Sequence, residues 1–348
     1  MEFQIIRILF FATLSFVFAI LSAPLLTHFL YKYKMGKKIR DGGKTPIFSK
    51  LHAHKAGTPT MGGVLIWGTV LILILFFYLL FQLLPSDIFE YFNFLSRAET
   101  LLPLGALVAS ALIGLFDDWL DVKGKGVFGG GGLKLRHRLI IFTLIAIIGA
   151  LWFYFKLDWT IIHVPFFGNF EIGAWYIPIF IFIIVATSFS VNETDGLDGL
   201  AGGTLLIAFA SYGVISFAMG RYDLATFCAV ILGALLAFIW FNIPPARFYM
   251  GDTGSMGLGV TLGIIAMLTN NAFLLVFIGL VFLIESLSVI IQLVSKRIRH
   301  KKVFLSTPIH HHFQALGWPE SKVVMRFWVI AGIGATIGLI IFLLDKQI

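Results

Sequence analysis

The sequence predicts an all-α integral membrane protein with ten transmembrane helices, and three observations predict it. The 348 residues are 59% hydrophobic and only 13% charged, with a mean hydropathy of +0.94. A soluble domain carries about 25% charged residues. The apolar residues fall in long continuous runs rather than alternating, which selects helices over a closed barrel as the way to satisfy the backbone in lipid. The basic residues sit in short loops between those runs, where they act as topology signals.

The first run, 5–31, exceeds the ~7–15-residue core of a signal peptide and is expected to be a retained span. Further spans are expected at 60–84, 100–120, 138–156, 174–191, 200–218, 224–242, 254–270, 272–295 and 323–344, most of them near the ~20 residues that cross the hydrocarbon. Spans eight and nine abut at Thr269-Asn270-Asn271, expected as a tight turn. Loops 32–55, 121–138, 243–253 and 295–326 hold 21 of the 26 Lys and Arg residues. The positive-inside rule puts them in the cytoplasm, and ten spans then leave both termini outside. The same distribution argues against a nucleic-acid partner despite the net charge of +8. The single cysteine, Cys228, lies in an apolar run, so no disulfide framework forms within the chain. No internal repeat or soluble domain is visible, and residues 1–348 read as one membrane domain. Five glycines mark 126–132 as a flexible loop.

Nine carboxylates fall on the expected cytoplasmic side, most of them at helix mouths beside glycines. Asp117-Asp118 closes the third span. Ionisable groups at membrane depth cost roughly 2.5–3.5 kcal/mol each, so they usually face a cavity. Two adjacent carboxylates stay ionised together only beside a cation. Asp121 lies one turn further on, and a solvated helix end is the plainer alternative. In NETDGLDGLAGG, 192–203, a glycine follows both Asp195 and Asp198. It admits close approach of a ligand to the backbone, although a glycine-capped turn is also open. In YMGDTGS, 249–255, Asp252 opens the eighth span, where a helix N-terminus suits phosphate or the Asp serves as N-cap. The consecutive histidines of PIHHHF, 308–313, are poorly spaced for one metal. They suit phosphate binding or proton exchange, or form a solvated loop. In KAGTPTMGG, 55–63, Lys55 and Thr60 either serve an anionic substrate or reflect topology alone. Glu285 and Gln292 share one face of span nine, with Glu285 expected to be a structural partner. Together, hard carboxylate oxygens select magnesium. Magnesium with lysine and histidine suits diphosphate chemistry, with one soluble phosphate substrate and one lipid substrate. A transporter would place its charges near the midplane and show repeated halves. Neither feature is present in the sequence.

KAGTPTMGG, Asp117-Asp118, VNETDGLDGLAGG, WFN at 240–242, MGDTGS, ESLSVIIQ at 285–292, PIHHHF and GWPE at 317–320 occur in one order along essentially the whole chain. In this the chain resembles the polyprenyl-phosphate N-acetylhexosamine-1-phosphate transferase superfamily and, within it, the phospho-N-acetylmuramoyl-pentapeptide transferases. PIHHHF and GWPE separate these from sister enzymes that move GlcNAc-1-phosphate from UDP-GlcNAc. The resemblance implies transfer of phospho-MurNAc-pentapeptide from UDP-MurNAc-pentapeptide to undecaprenyl phosphate, giving lipid I and UMP. It implies Mg2+ held by Asp252, with Asp117 and Asp118 acting on the lipid phosphate. Asn192, Asp195, Gly196 and Asp198 match the nucleoside-binding stretch. Lys55, Thr60, Arg138, Asn242, Tyr249, Gln292, His310, His311 and His312 match other substrate contacts. A homodimer in the bacterial inner membrane is implied too. The chain departs from the family at three places. Tyr249 stands where Phe is common, Arg138 where Lys is aligned, and Asp121 where Lys is frequent.

Overall fold

Among the described residues ten long helices carry the chain. They are α1 (Glu2–Lys32), α2 (Val64–Leu83), α3 (Leu101–Lys123), α4 (Leu135–Lys156), α5 (Tyr176–Thr194), α6 (Leu200–Ala218), α7 (Tyr222–Asn242), α8 (Gly251–Leu268), α9 (Leu280–Arg299) and α10 (Glu320–Asp345). The structure is a computed structural model that describes residues 1–36, 55, 57–97, 99–124 and 132–347. Asp41, Lys125 and all but the last residue of the glycine-rich loop 126–132 lie outside the described residues.

Among the described residues nine helices are long and apolar enough to cross a membrane. The tenth candidate is a pair, Ala272–Ile278 and α9, bent by 84° at Gly279. The straight span expected at 272–295 is therefore broken. The Gly279 N–H closes on the Leu275 carbonyl at 2.8 Å, and glycine is a poor residue for continuing a helix. Beyond the break α9 carries two opposed stripes. Glu285, Ser288, Gln292 and Ser295 are buried, whereas Leu287, Ile290, Ile291 and Val294 are exposed. Turning the helix directs the polar stripe into protein. The expected turn at Thr269–Asn271 is present, with Asn270 in the left-handed region at φ 53°.

A small hairpin, β1 (Ile161–Val164) and β2 (Gly168–Glu171), joins α4 to α5 with Val164 opposite Gly168. Nothing in the sequence marked it, because period-two alternation is invisible where most residues are apolar. His163 ties the hairpin to α10 through Asp345, 2.6 Å away, and its N–H donates to Asn270 Oδ1 at 3.1 Å. Arg7 of α1 pairs with Asp223 of α7 at 2.9 Å. The chain termini, the hairpin and the turns before α7 and after α8 thus meet at one end of the bundle.

α8 is the axis of the molecule. Every residue of it is buried except Asp252. Small residues allow this. A Cβ on Gly63 would lie 2.3 Å from the Gly254 Cα, and one on Gly259 would lie 2.7 Å from the Ser188 Cα, so α2 and α5 touch α8 backbone to backbone. The helix that supplies Asp252 is thereby fixed from several sides.

Candidate active site

At the other end of the bundle α3, α5 and α8 bring their polar ends together. Asp118, 4% exposed, caps the start of α8. Its Oδ1 accepts the Asp252 N–H and its Oδ2 the Thr253 N–H, both at 3.1 Å. These are orphan donors of a helix N-terminus, and a carboxylate there also meets the positive end of the helix dipole. The Thr60 hydroxyl donates to the same carboxylate at 3.3 Å. Gly251 makes this approach possible. Its φ is +72°, and a Cβ would lie 2.5 Å from Asp118 Oδ2 and 2.6 Å from Thr60 Oγ1.

Asp117 faces another way. It accepts the Leu133 N–H and lies 2.6 Å from Arg138 Nε. The same guanidinium reaches Asp252 Oδ2 at 2.9 Å. One positive charge from the first turn of α4 therefore bridges two carboxylates, from α3 and α8, that also lie within hydrogen-bond reach of each other. Asp252 Oδ1 accepts from Asn192 Nδ2 at 2.8 Å, and Asn192 also donates to Ser255 Oγ at 2.9 Å. Asp195 Oδ2 accepts the Gly251 N–H at 3.1 Å. The 192–195 stretch is thus fastened directly to the Asp252 loop.

A second cluster adjoins the first. The Lys55 ammonium lies 2.7 Å from Asp198 Oδ1 and 2.5 Å from Glu320 Oε1. It also lies 6.0 Å from the centre of the Tyr249 ring. Burial, with the carboxylates of Asp198 and Glu320 nearby, pushes the Tyr249 phenol up to about 12, so it stays protonated. His310 packs against Gly196, where an added Cβ would lie 2.3 Å from His310 Nε2. His310 Nδ1 meets Glu285 Oε2 at 2.9 Å, and His311 Nδ1 meets Gln314 Oε1 at 2.9 Å. Burial drives both imidazoles down to about 3, helped by the positive charge of Lys55 at His310 and by His310 and then Lys55 at His311. Both are neutral at physiological pH, which suits a hydrogen-bonding rather than a charge-pairing role.

Three of the expected substrate residues have other work in this structure. Asn242 accepts the Gly199 N–H and donates to the Phe248 carbonyl, both at 2.8 Å, and so bridges two loops. Gln292 accepts the N–H groups of Val303 and Phe304 at 2.9 and 3.0 Å. His312 accepts the Leu305 N–H at 3.2 Å. Glu285, expected as a structural partner, has that place against His310. Glu320 was singled out by no spacing rule, although GWPE carries it. It enters the site only because α10 starts against the Asp198 loop.

Comparison with known proteins gives a consistent picture. Residues 100–270 match the model of glycosyl transferase family 4, and residues 55–66 match the phospho-N-acetylmuramoyl-pentapeptide-transferase signature 1. A phospho-N-acetylmuramoyl-pentapeptide-transferase of Chloroflexus aggregans is 38% identical over 346 residues, covering 96% of this chain and 89% of the relative. One from Anoxybacillus flavithermus is 40% identical over 335 residues, covering 96% and 97%. One from Geobacillus sp. is 39% identical over 333 residues, covering 94% and 95%.

Proposed function

The chain belongs to the phospho-N-acetylmuramoyl-pentapeptide-transferase family, and on that premise we propose that it transfers phospho-MurNAc-pentapeptide from UDP-MurNAc-pentapeptide to undecaprenyl phosphate, releasing UMP and forming lipid I for peptidoglycan. The observation that carries the site assignment is the meeting of Asp117 and Asp252 on the Arg138 guanidinium.

Asp252 is the one residue of α8 not fully buried, and it offers carboxylate oxygens beside Asn192. The donor set fits magnesium, which takes one or two protein carboxylates and completes its shell with water and substrate phosphate. Among the described residues no group of three His, Cys, Asp or Glu side chains surrounds a metal position, and that agrees with a shared rather than an all-protein shell. When bound, magnesium supplies charge neutralisation and Lewis acidity at the diphosphate. The chain's own groups do the rest. Asp118 spends its oxygens on the α8 terminus and so holds Asp252 in place. Asp117 shares Arg138 with Asp252 and lies within hydrogen-bond reach of it, so an acceptor phosphate drawn to that guanidinium would stand beside both carboxylates. The acceptor phosphate is already anionic at neutral pH, so Arg138 needs only to orient it and offset its charge. Lys55, Asp195, Asp198 and Tyr249 form the nucleotide side, with Tyr249 able to stack on uracil. His310 and His311 present neutral rings next to Gly196.

This site faces the cytoplasm of the bacterial inner membrane in our reading, with both termini outside and the protein acting as a homodimer. The basic loops support the orientation. The test is UMP release by purified protein given UDP-MurNAc-pentapeptide and undecaprenyl phosphate. Turnover that needs magnesium and is lost in Asp252→Asn at an unchanged melting temperature is the expected result. Turnover with UDP-GlcNAc alone would move the chain to the sister transferases.

A further inference from the structure

The Lys55 ammonium is held by two carboxylates that lie far apart in sequence. A single oxygen of Glu320 does two things at once. Oε1 accepts from Lys55 Nζ at 2.5 Å and from the Asp198 backbone N–H at 2.7 Å. Asp198 closes the loop from its side chain, taking Lys55 Nζ on Oδ1 at 2.7 Å and the Ala246 N–H on Oδ2 at 3.2 Å. The three side chains are 11%, 5% and 16% exposed, so water screens them little. Glu320 itself is rigidly based. It opens α10 behind Pro319, next to Trp318, whose ring stacks on Phe313 at 4.8 Å and whose N–H bonds to the Phe313 carbonyl at 3.1 Å. Phe313 follows directly on the three histidines.

Lysine is a compact charge on a long, freely rotating stem, so it gives no geometric specificity until something fixes it. Here the fixing group also fixes the backbone that leads into Gly199, at φ +82°. We infer that Glu320 is a positioning residue of the nucleotide site, holding the Lys55 ammonium and the Asp195–Asp198 loop in one register for the UDP portion of the substrate. This rests on the reading of Lys55 and the 195–198 stretch as nucleotide contacts. It adds a residue from a segment more than a hundred positions away, and it gives the GWPE motif a physical role.

The test uses the full-length purified protein with Glu320→Gln, Glu320→Asp, Lys55→Ala and the double variant Lys55→Ala/Glu320→Gln. Glu320→Gln is expected to raise KM for the UDP substrate about tenfold with kcat changed less than threefold, which is the signature of lost ground-state binding. Glu320→Asp, one methylene short, is expected to fall between wild type and Glu320→Gln. The double variant is expected to lose less than the product of the two single losses, because the Lys55–Glu320 contact is shared while the Glu320 contact to the Asp198 N–H is separate. Binding of UDP alone, followed by calorimetry, is expected to weaken by the same factor. An unchanged KM in Glu320→Gln, or additive losses in the double variant, would overturn the inference. Should Glu320→Gln fail to fold, a wild-type KM in Glu320→Asp overturns it equally. Absence of UMP release from wild type, with UDP binding intact and still weakened by Glu320→Gln, would count against the transferase reading and leave the positioning role supported.

Discussion

Single residues in this site are defined by what they exclude as much as by what they bind. His310 and His311 illustrate it, because burial keeps both imidazoles neutral with values near 3 against 6.5 in the open chain. A group whose folded value is depressed binds more protons unfolded than folded between those two values. Its stabilising effect is complete above pH 6.5 and is lost as pH falls from there toward 3. At pH 5 the loss is about 2 kcal/mol for each histidine. The melting temperature in detergent is therefore expected to drop steeply between pH 7 and pH 5, and the drop should flatten in His310→Asn/His311→Asn. A pH-independent melting temperature in wild type would show that these rings are already exchanging protons with solvent. The roles of single residues were only partly legible in the sequence. Asp252 and Asp195 announced themselves as carboxylates beside glycines at the ends of apolar runs, and Asn192 as a short polar residue in the same stretch as Asp195. The division of labour between Asp117 and Asp118 did not. Adjacent residues on a helix point about 100° apart, and only the packing of α3 against α8 decides which of them caps the helix and which meets Arg138.

At the level of elements, the site depends on helices that approach without side chains between them. The start of α2 carries the comparison, with Gly63 at its N-cap and Gly68 inside it. A Cβ on Gly63 would press into the Gly254 backbone of α8, whereas one on Gly68 would meet nothing within 4 Å. Gly63→Ala is expected to destabilise the protein by roughly 1–3 kcal/mol through overpacking. It should also slow turnover, since the Gly63 N–H bonds to the Met250 carbonyl at 2.8 Å, beside Asp252. Gly68→Ala is expected to be neutral or to stabilise by about 0.5–1 kcal/mol by improving helix propensity. Chemical denaturation in mixed micelles compares the two directly. Equal effects would show that close approach at Gly63 does not matter. Helix positions themselves were the most legible part of the chain, because the contrast between apolar runs and charged loops is large. The break at Gly279 was not, since glycine is tolerated inside membrane helices and the run on either side of it is continuously apolar. Its signal lay instead in the polar residues Glu285, Ser288, Gln292 and Ser295 recurring on one face of α9, a stripe that lipid could not accept.

Across the whole molecule, two ends with opposite chemistry follow from one alternating path. One end gathers the chain termini, the hairpin and the Arg7–Asp223 pair, and the other gathers the carboxylates with Lys55 and Arg138. The described basic residues of the second end, among them Lys55, Arg138, Arg247, Lys301 and Lys302, argue that it faces the cytoplasm. The chain makes this easy to test, because Cys228 is its only cysteine and is fully buried in α7. Replacing Cys228 by Ala gives a background with no thiol, at the cost of a small cavity. Lys346→Cys and Lys302→Cys then place exposed thiols at the two ends. In spheroplasts a membrane-impermeant maleimide is expected to label Lys346→Cys and spare Lys302→Cys, with both reacting once the membrane is permeabilised. Inverted vesicles should reverse the pattern. Labelling of Lys302→Cys from outside would turn the protein over and put the Asp252 site on the outer face of the membrane. Labelling of both from outside would mean that an even number of crossings, and not one, separates the two positions. The broken pair at Gly279 cannot produce that outcome, since it lies N-terminal to both positions. α10 alone separates them, so the experiment reads that crossing without interference.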